Sequence, residues 1–252
     1  MASPLALLTD FGTTDWYVGV MKGVIAGIAP EAACHDLTHA LPQGDIRSAR
    51  FALRQSLPWF PEGTVFLVVV DPGVGTHRRP LAVALGGHYL VGPDNGLFPE
   101  LTGEKPVFRE ITHPTCRFPE MSRTFHGRDL FAPTAARLAA GLAFAETGPE
   151  INDPVTLPED TGGTPFIQYI DRFGNAITTL PAAAAEPVSA VWINGKRIPF
   201  ADTYGDVEPG AALLTVGSTG FLEIAVRNGS AADWLDLKVG DTVGPEGDQT
   251  QA

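Results

Sequence analysis

Cysteine is scarce in this sequence. Its two cysteines, Cys34 and Cys116, lie far apart and in no metal-binding spacing. No disulfide framework is expected, and two buried thiols in a reducing cytoplasm are the plain reading. Basic residues are few as well: 17 Lys and Arg against 29 Asp and Glu leave a formal charge of -12. Such a surface repels phosphates, which argues against nucleic acid as a partner. No apolar run approaches the roughly 20 residues of a membrane helix, so no membrane partner is expected. The first residues, MASPLALLTDFG, carry no basic region and no adequate apolar stretch, so no signal peptide and a cytoplasmic location are expected. The phosphate-cradling patterns G-x-x-x-x-G-K-[ST] and G-x-G-x-x-G are missing, and so is the G-x-S-x-G elbow of serine hydrolases. In HDLTH, His35 and His39 have a spacing that binds zinc on a helix. The segment reads as a strand, however, and no third ligand is apparent, so no metal is expected.

What is present points to two domains. The length of 252 residues fits one large domain or two small ones, and 44% hydrophobic residues supply a core. Leu5 to Thr9 is a short apolar run ending at Asp10, read as a buried strand. Tyr17, Val20, Met21, Val24 and Ile28 recur at helical spacing and predict a helix over 16–28. Ala32 to Leu37 reads as a second strand. A second helix is expected over 45–60, with Asp45 near its start and Ile46, Ala49, Ala52, Leu53 and Leu57 on one face. Val65 to Val70 is a third strand, Leu81 to Leu85 and Tyr89 to Val91 add two more, and Leu130 to Leu142 is an Ala-rich helix. Apolar strands alternating with helices predict an α/β N-terminal domain over 1–152, with a mainly parallel sheet flanked by helices. A stretch rich in Pro, Gly and acidic residues follows, and 153–165 reads as a linker. Short strands separated by turn signals then predict an all-β C-terminal small barrel over 166–246.

Three motifs stand out. Asp10 in TDFGTTD and Asp71 in VVVDPGVGTHRRP both sit where apolar strands end, the edge of a parallel sheet where ligands bind. Gly12, Gly73 and Gly75 let the backbone turn tightly there. For one such aspartate, capping a helix or bracing a turn explains the position as well as a binding role does. In TFHGRDLFAP, His126 lies in a polar loop before a helix, where sites collect.

Taken in order, LLTDFGTTDWYVGVMKG, VVVDPGVGTHRRP, GPDNGLF, TFHGRDLFAP, YIDRFGNAITTL and GFLEIAVRNGSAA resemble the S-adenosylmethionine hydroxide adenosyltransferases, hydrolases related to the fluorinating and chlorinating adenosyl enzymes. The resemblance runs from Leu5 to about Val243. It implies an N-terminal α/β domain, a C-terminal β-barrel and a homotrimer whose active sites lie between one subunit's N-terminal domain and a neighbour's C-terminal domain. The implied reaction is S-adenosyl-L-methionine plus water giving adenosine and L-methionine, with no cofactor.

The family's water-activating set matches Asp71, Arg78 and His126. Choosing Arg78 over its neighbour Arg79 rests on spacing. Asp10 matches the carboxylate that grips the ribose hydroxyls, and Asp15 a nearby acidic position. Asp171 matches the residue that meets the methionine ammonium, and Ser218 the one that binds its carboxylate. Asn175, Phe200, Asn228 and Gly229 match positions around adenine; Asp171 and Asn175 also read as turn residues. The halogenating relatives have a non-acidic residue at the Asp71 position and lack the Arg and His. The fluorinating enzyme has serine where Gly127 stands. A chloride-using 5'-halogenase and a non-catalytic sensor of S-adenosylmethionine or adenosine are the alternatives.

Overall fold

The computed structural model describes residues 2–99, 101–157, 164–184 and 188–245. The chain divides into two compact units, Met1–Pro158 and Glu159–Ala252.

In the first unit the apolar runs become the innermost strands. β1 (Leu5–Thr9) is buried at every position. It leads through α1 (Tyr17–Ile28) to β2 (Cys34–Thr38). Next come α2 (Ile46–Ser56), whose Asp45 cap accepts from Ser48 N at 3.0 Å, and the fully buried β3 (Val65–Val69). β4 (Pro80–Leu85) and β5 (His88–Pro93) follow, then β6 (Val107–Glu110), α3 (Ala132–Ala139) and β7 (Glu150–Ile151). The strands form one sheet in the order β2-β1-β3-β5-β4-β6-β7. Met21, Ile25, Leu67, Phe131 and Ala135 belong to the core cluster packed with β1 and β3.

The expectation of a mainly parallel sheet needs correction. β2, β1, β3 and β5 run parallel, but the β5–β4, β4–β6 and β6–β7 pairings are antiparallel, so the sheet is mixed. The reversal is made by Gly86 and Gly87, with φ of 57° and 78°. Two consecutive left-handed residues form the tight hairpin turn that matches strand twist.

The Ala-rich helix also starts differently from its expected span. Gly127–Phe131 is a π-helical turn, and α3 begins only at Ala132. Pro133 explains this locally, because it has no N–H to give the carbonyl of Asp129. Phe118 N takes that carbonyl instead, at 2.9 Å. Of the stretch expected as a linker, residues 153–157 belong to the first unit, while 158–163 lie outside the described residues.

The second unit is β-rich. It contains β8 (Ile167–Ile170), β9 (Ala176–Pro181), β10 (Ala190–Ile193), β11 (Lys196–Pro199), β12 (Ala212–Val216), β13 (Phe221–Val226), the short α4 (Ala231–Leu235) and β14 (Gly244–Pro245). A four-stranded sheet has the order β12-β13-β9-β8 and a three-stranded sheet the order β11-β10-β14. Isolated bridges, Phe166 to Thr242 and Phe200 to Leu214, connect the edges of the two sheets. Ile167, Val191, Ile198, Leu214 and Ile224 belong to its core. Among the described residues, no helix is long and apolar enough to cross a membrane.

Candidate active site

β1 and β3 are neighbours, with Thr9 opposite Val69, so Asp10 and Asp71 leave the sheet side by side at its carboxyl edge. The loop from Asp71 to Arg78 then folds back on itself. Val74 N donates to Asp71 O at 3.2 Å, Thr76 N to Gly73 O at 3.1 Å, and Thr76 Oγ1 accepts from Arg78 N at 3.3 Å. Gly75 needs its missing side chain twice over. Its φ is 78°, and a Cβ there would sit 2.9 Å from the carbonyl oxygen of Arg123.

This fold of the loop brings its two ends together. Arg78 Nε donates to Asp71 Oδ1 at 3.0 Å and Oδ2 at 3.1 Å, and Nη2 donates to Oδ2 at 2.5 Å. Nη2 also meets His126 Nδ1 at 2.7 Å. The side chains of Arg78 and Asp71 are only 9% and 5% exposed, so this is a buried, charge-assisted pair. Phe131 lies beneath the guanidinium, 5.0 Å from ring centroid to Cζ.

The contact with Arg78 settles the histidine's tautomer. A guanidinium can only donate, so His126 Nδ1 is an acceptor and the proton of the neutral ring is on Nε2. Burial pushes the His126 pKa down, and the Arg78 charge adds to that; Asp71 and Asp129 pull the other way. His126 is therefore a neutral donor rather than a proton acceptor. Its loop is pinned by Asp129, which is 2% exposed and accepts from Ser122 N at 2.7 Å and from Arg128 Nε at 2.6 Å. Phe125, the residue before His126, stands edge-on to Phe11, the residue after Asp10, at 6.2 Å. Asp10 thus shares this corner, where its Oδ2 accepts from Gly44 N at 2.7 Å.

Arg79 points elsewhere. It donates to Asp94 Oδ2 at 2.8 Å and to Asp153 Oδ1 at 2.8 Å, so Arg78 is the arginine that meets Asp71 and His126. His39, one of the two histidines of HDLTH, is buried and shares a hydrogen bond with Thr9 Oγ1 at 2.8 Å. No group of three or more His, Cys, Asp or Glu among the described residues could hold a metal ion.

The remaining candidates lie in the second unit. Asp171 and Asn175 close the β8–β9 turn. Asp171 Oδ1 accepts from Phe173 N at 2.8 Å and Asn175 N at 2.9 Å, while Oδ2 accepts from Asn175 Nδ2 at 3.1 Å. This turn docks on the segment after β13: Ala232 N donates to Gly174 O at 2.9 Å, and a Cβ on Gly174 would fall 2.0 Å from Ser230 Oγ. Asn228, at φ 58°, and Gly229 form the start of that segment. Phe200 packs against the core of this unit, and Ser218 is exposed in the turn between β12 and β13.

Sequence reasoning missed a buried acid here. Glu223, 5% exposed on β13, takes a short hydrogen bond from the Tyr204 hydroxyl. A Cβ on Gly217, beside Ser218, would fall 2.5 Å from Glu223 Oε2. Burial raises the Glu223 pKa; Tyr204 opposes this and Asp171 adds to it. The strand alternation of FLEIAV puts Leu222, Ile224 and Val226 in the core and Glu223 on the opposite face, so the period gave no signal that this acid is buried.

A two-unit α/β fold with a part-buried Asp-Arg-His set at the carboxyl edge of parallel strands is the framework of a small-molecule enzyme. The model for the SAM hydroxide adenosyltransferase N-terminal domain matches residues 5–148, and that for the C-terminal domain matches 166–244. A Thermus thermophilus protein named (R)-S-adenosyl-L-methionine hydrolase is 46% identical, over 94% of this chain and 97% of its own. One of the same name from Salinispora tropica is 39% identical, over 94% and 95%. A crystal structure of an uncharacterized conserved protein from Thermotoga maritima superposes with a TM-score of 0.89 at 35% identity, covering 96% of this chain and 99% of its own. Fluorinases are more distant, at 26% identity. The chain belongs to the SAM hydroxide adenosyltransferase family.

Proposed function

We propose that this chain hydrolyses S-adenosyl-L-methionine, the R epimer named for its relatives, to adenosine and L-methionine. The carrying observation is the part-buried contact of Arg78 with both Asp71 and His126. The sulfonium is already a good leaving group, so the reaction needs a nucleophile in line with ribose C5' and no cofactor. The water oxygen forms the new bond to C5', the C5'–S bond breaks with its electron pair passing to sulfur, and one proton is released.

The three side chains divide that work. His126 Nε2–H donates to the nucleophile's oxygen. Asp71 Oδ1 accepts one hydrogen bond from Arg78, which leaves a lone pair to orient the water and receive its proton. Arg78 holds the other two in register and supplies the positive charge that favours hydroxide character. Asp10 takes the ribose hydroxyls. Asp171 and Ser218 take the methionine end, and Asn175, Phe200, Asn228 and Gly229 take adenine.

In this reading the second unit is a small closed barrel, supported by the bridges at both sheet edges. The working unit is a homotrimer in which neighbouring subunits share each site. The strongly exposed Trp16 and Phe173, close in sequence to Asp15 and Asp171, suit such an interface. The test is product analysis. Purified protein with S-adenosylmethionine should release adenosine and L-methionine in equal amounts, and His126→Ala should abolish this. Chloride-dependent 5'-chloroadenosine would mark a halogenase instead, and tight binding without turnover a sensor.

A further inference from the structure

The motif GPDNGLF has no part in the chemistry assigned above, yet it touches both ends of the Asp71–Arg78 loop. That loop is flanked by Val70 and Arg79. Asn95 Nδ2 donates to the carbonyl of Val70 at 2.9 Å. Asp94 N donates to the carbonyl of Arg79 at 2.9 Å, and Asp94 Oδ2 accepts from Arg79 Nε at 2.8 Å. The ladder would otherwise fray here. Pro80 and Pro93 stand opposite each other at the end of the β4–β5 pairing, and neither has an N–H to donate. Close packing adds to the constraint: a Cβ on Gly92 would fall 2.3 Å from the carbonyl oxygen of Val68.

We infer that Asp94 and Asn95 are positioning residues of the reaction, clamping the two ends of the Asp71–Arg78 loop and so setting the contact of Arg78 with His126. The mechanics follow from the loop's shape. Asp71 and Arg78 are its first and last residues, and their side chains meet only while its ends stay fixed. Arg78 reaches His126 from the end that Asp94 holds. Asp94 is itself 4% exposed, and its second oxygen accepts from Val155 N at 2.8 Å. Arg79 adds bonds to Asp153 Oδ1 at 2.8 Å and to its carbonyl at 2.6 Å. The clamp therefore also fastens the last described residues of the first unit to the loop that carries Arg78.

The experiment compares Asn95→Ala and Asp94→Asn with the wild type by nitrogen-15 NMR of the histidine side chains and by steady-state kinetics. With the clamp weakened, Arg78 should drift from His126, so the His126 titration should move up toward the ordinary histidine range and its fixed tautomer should be lost. The kinetic consequence rests on the hydrolase reading: kcat should fall on the order of 10²-fold, as a small misplacement of catalytic groups does, while KM stays within about twofold. Should Asn95→Ala fail to fold, the milder Asn95→Ser carries the same readouts. Folded variants whose His126 keeps the wild-type titration and tautomer would overturn the inference, even if turnover fell. A wild type that releases no adenosine would overturn the hydrolase reading instead, and the NMR comparison would still decide whether the clamp sets Arg78 against His126.

Discussion

Replacing Arg78 by lysine separates charge from shape. The positive charge survives Arg78→Lys, so a model in which the site needs only a cation near Asp71 predicts little change. The geometry predicts a large one. Nε and Nη2 of a single planar group contact both oxygens of Asp71 at 2.5 to 3.1 Å, and Nη2 reaches His126 at 2.7 Å. A lysine ammonium is a point charge on a flexible stem with no such fixed fork. Losing the bond to His126 also frees its tautomer, so Nε2–H is no longer assured. Removing one preorganised donor of this kind costs about 10²- to 10³-fold in kcat. Arg78→Ala should do worse, because it leaves the 5%-exposed Asp71 carboxylate without its partner. Breaking a buried pair that way costs roughly 3–5 kcal/mol, and for a chain of this size the melting temperature should drop by roughly 6–20 °C. Adenosine release followed by chromatography, beside thermal melts, gives both numbers. Turnover by Arg78→Lys within about threefold of wild type, a barrier change of well under 1 kcal/mol, would refute the fork-based account.

Three further outcomes follow from named contacts. Arg78, which can only donate, meets His126 Nδ1 and so requires the neutral ring, and burial and the Arg78 charge push its pKa down. Its folded-state value lies below its unfolded one, so its contribution to stability is full above about pH 6.5 and is lost as pH falls through the folded value. A pH profile should therefore show kcat/KM level down to about that pH and declining only below it, and a decline beginning well above it would contradict the neutral imidazole. Gly75→Ala combines a left-handed φ with a Cβ 2.9 Å from the Arg123 carbonyl; it should lower stability by about 1–3 kcal/mol in denaturant titration and cut kcat with it. Co-expressed Asp71→Ala and Asp171→Ala chains, each nearly inactive alone, should recover part of the activity if subunits share sites, and verified mixed oligomers without rescue would place each site within one chain.

Much of the first unit was legible because its innermost strands are continuous apolar runs. Leu5 to Thr9 and Val65 to Val69 fall where their composition puts them, and the aspartates after them arrive together because β1 and β3 pair in register. Apolarity alone could not show strand direction. The reversal at β4 was written in Gly86 and Gly87, a hairpin signal that reading by strand content passes over. Helical periodicity likewise hid the π turn before α3, since Gly127 to Phe131 carries the same face; only Pro133 marks the break. At the site, the spacing of Asp71 and Arg78 could be read, but their contact could not, because it depends on turns within the loop and on Asp94 and Asn95 far along the chain. Glu223 and Tyr204 escaped for the same reason: their meeting is tertiary.

In the proposed reaction, water attacks ribose C5' of S-adenosylmethionine. Incubation with S-adenosylmethionine in oxygen-18 water, followed by mass spectrometry of the adenosine, tests it directly. Adenosine should carry one heavy oxygen on the 5' carbon and form together with L-methionine. Unlabelled adenosine, a 5'-chloro product in its place, or no product from a protein that binds the substrate would contradict it.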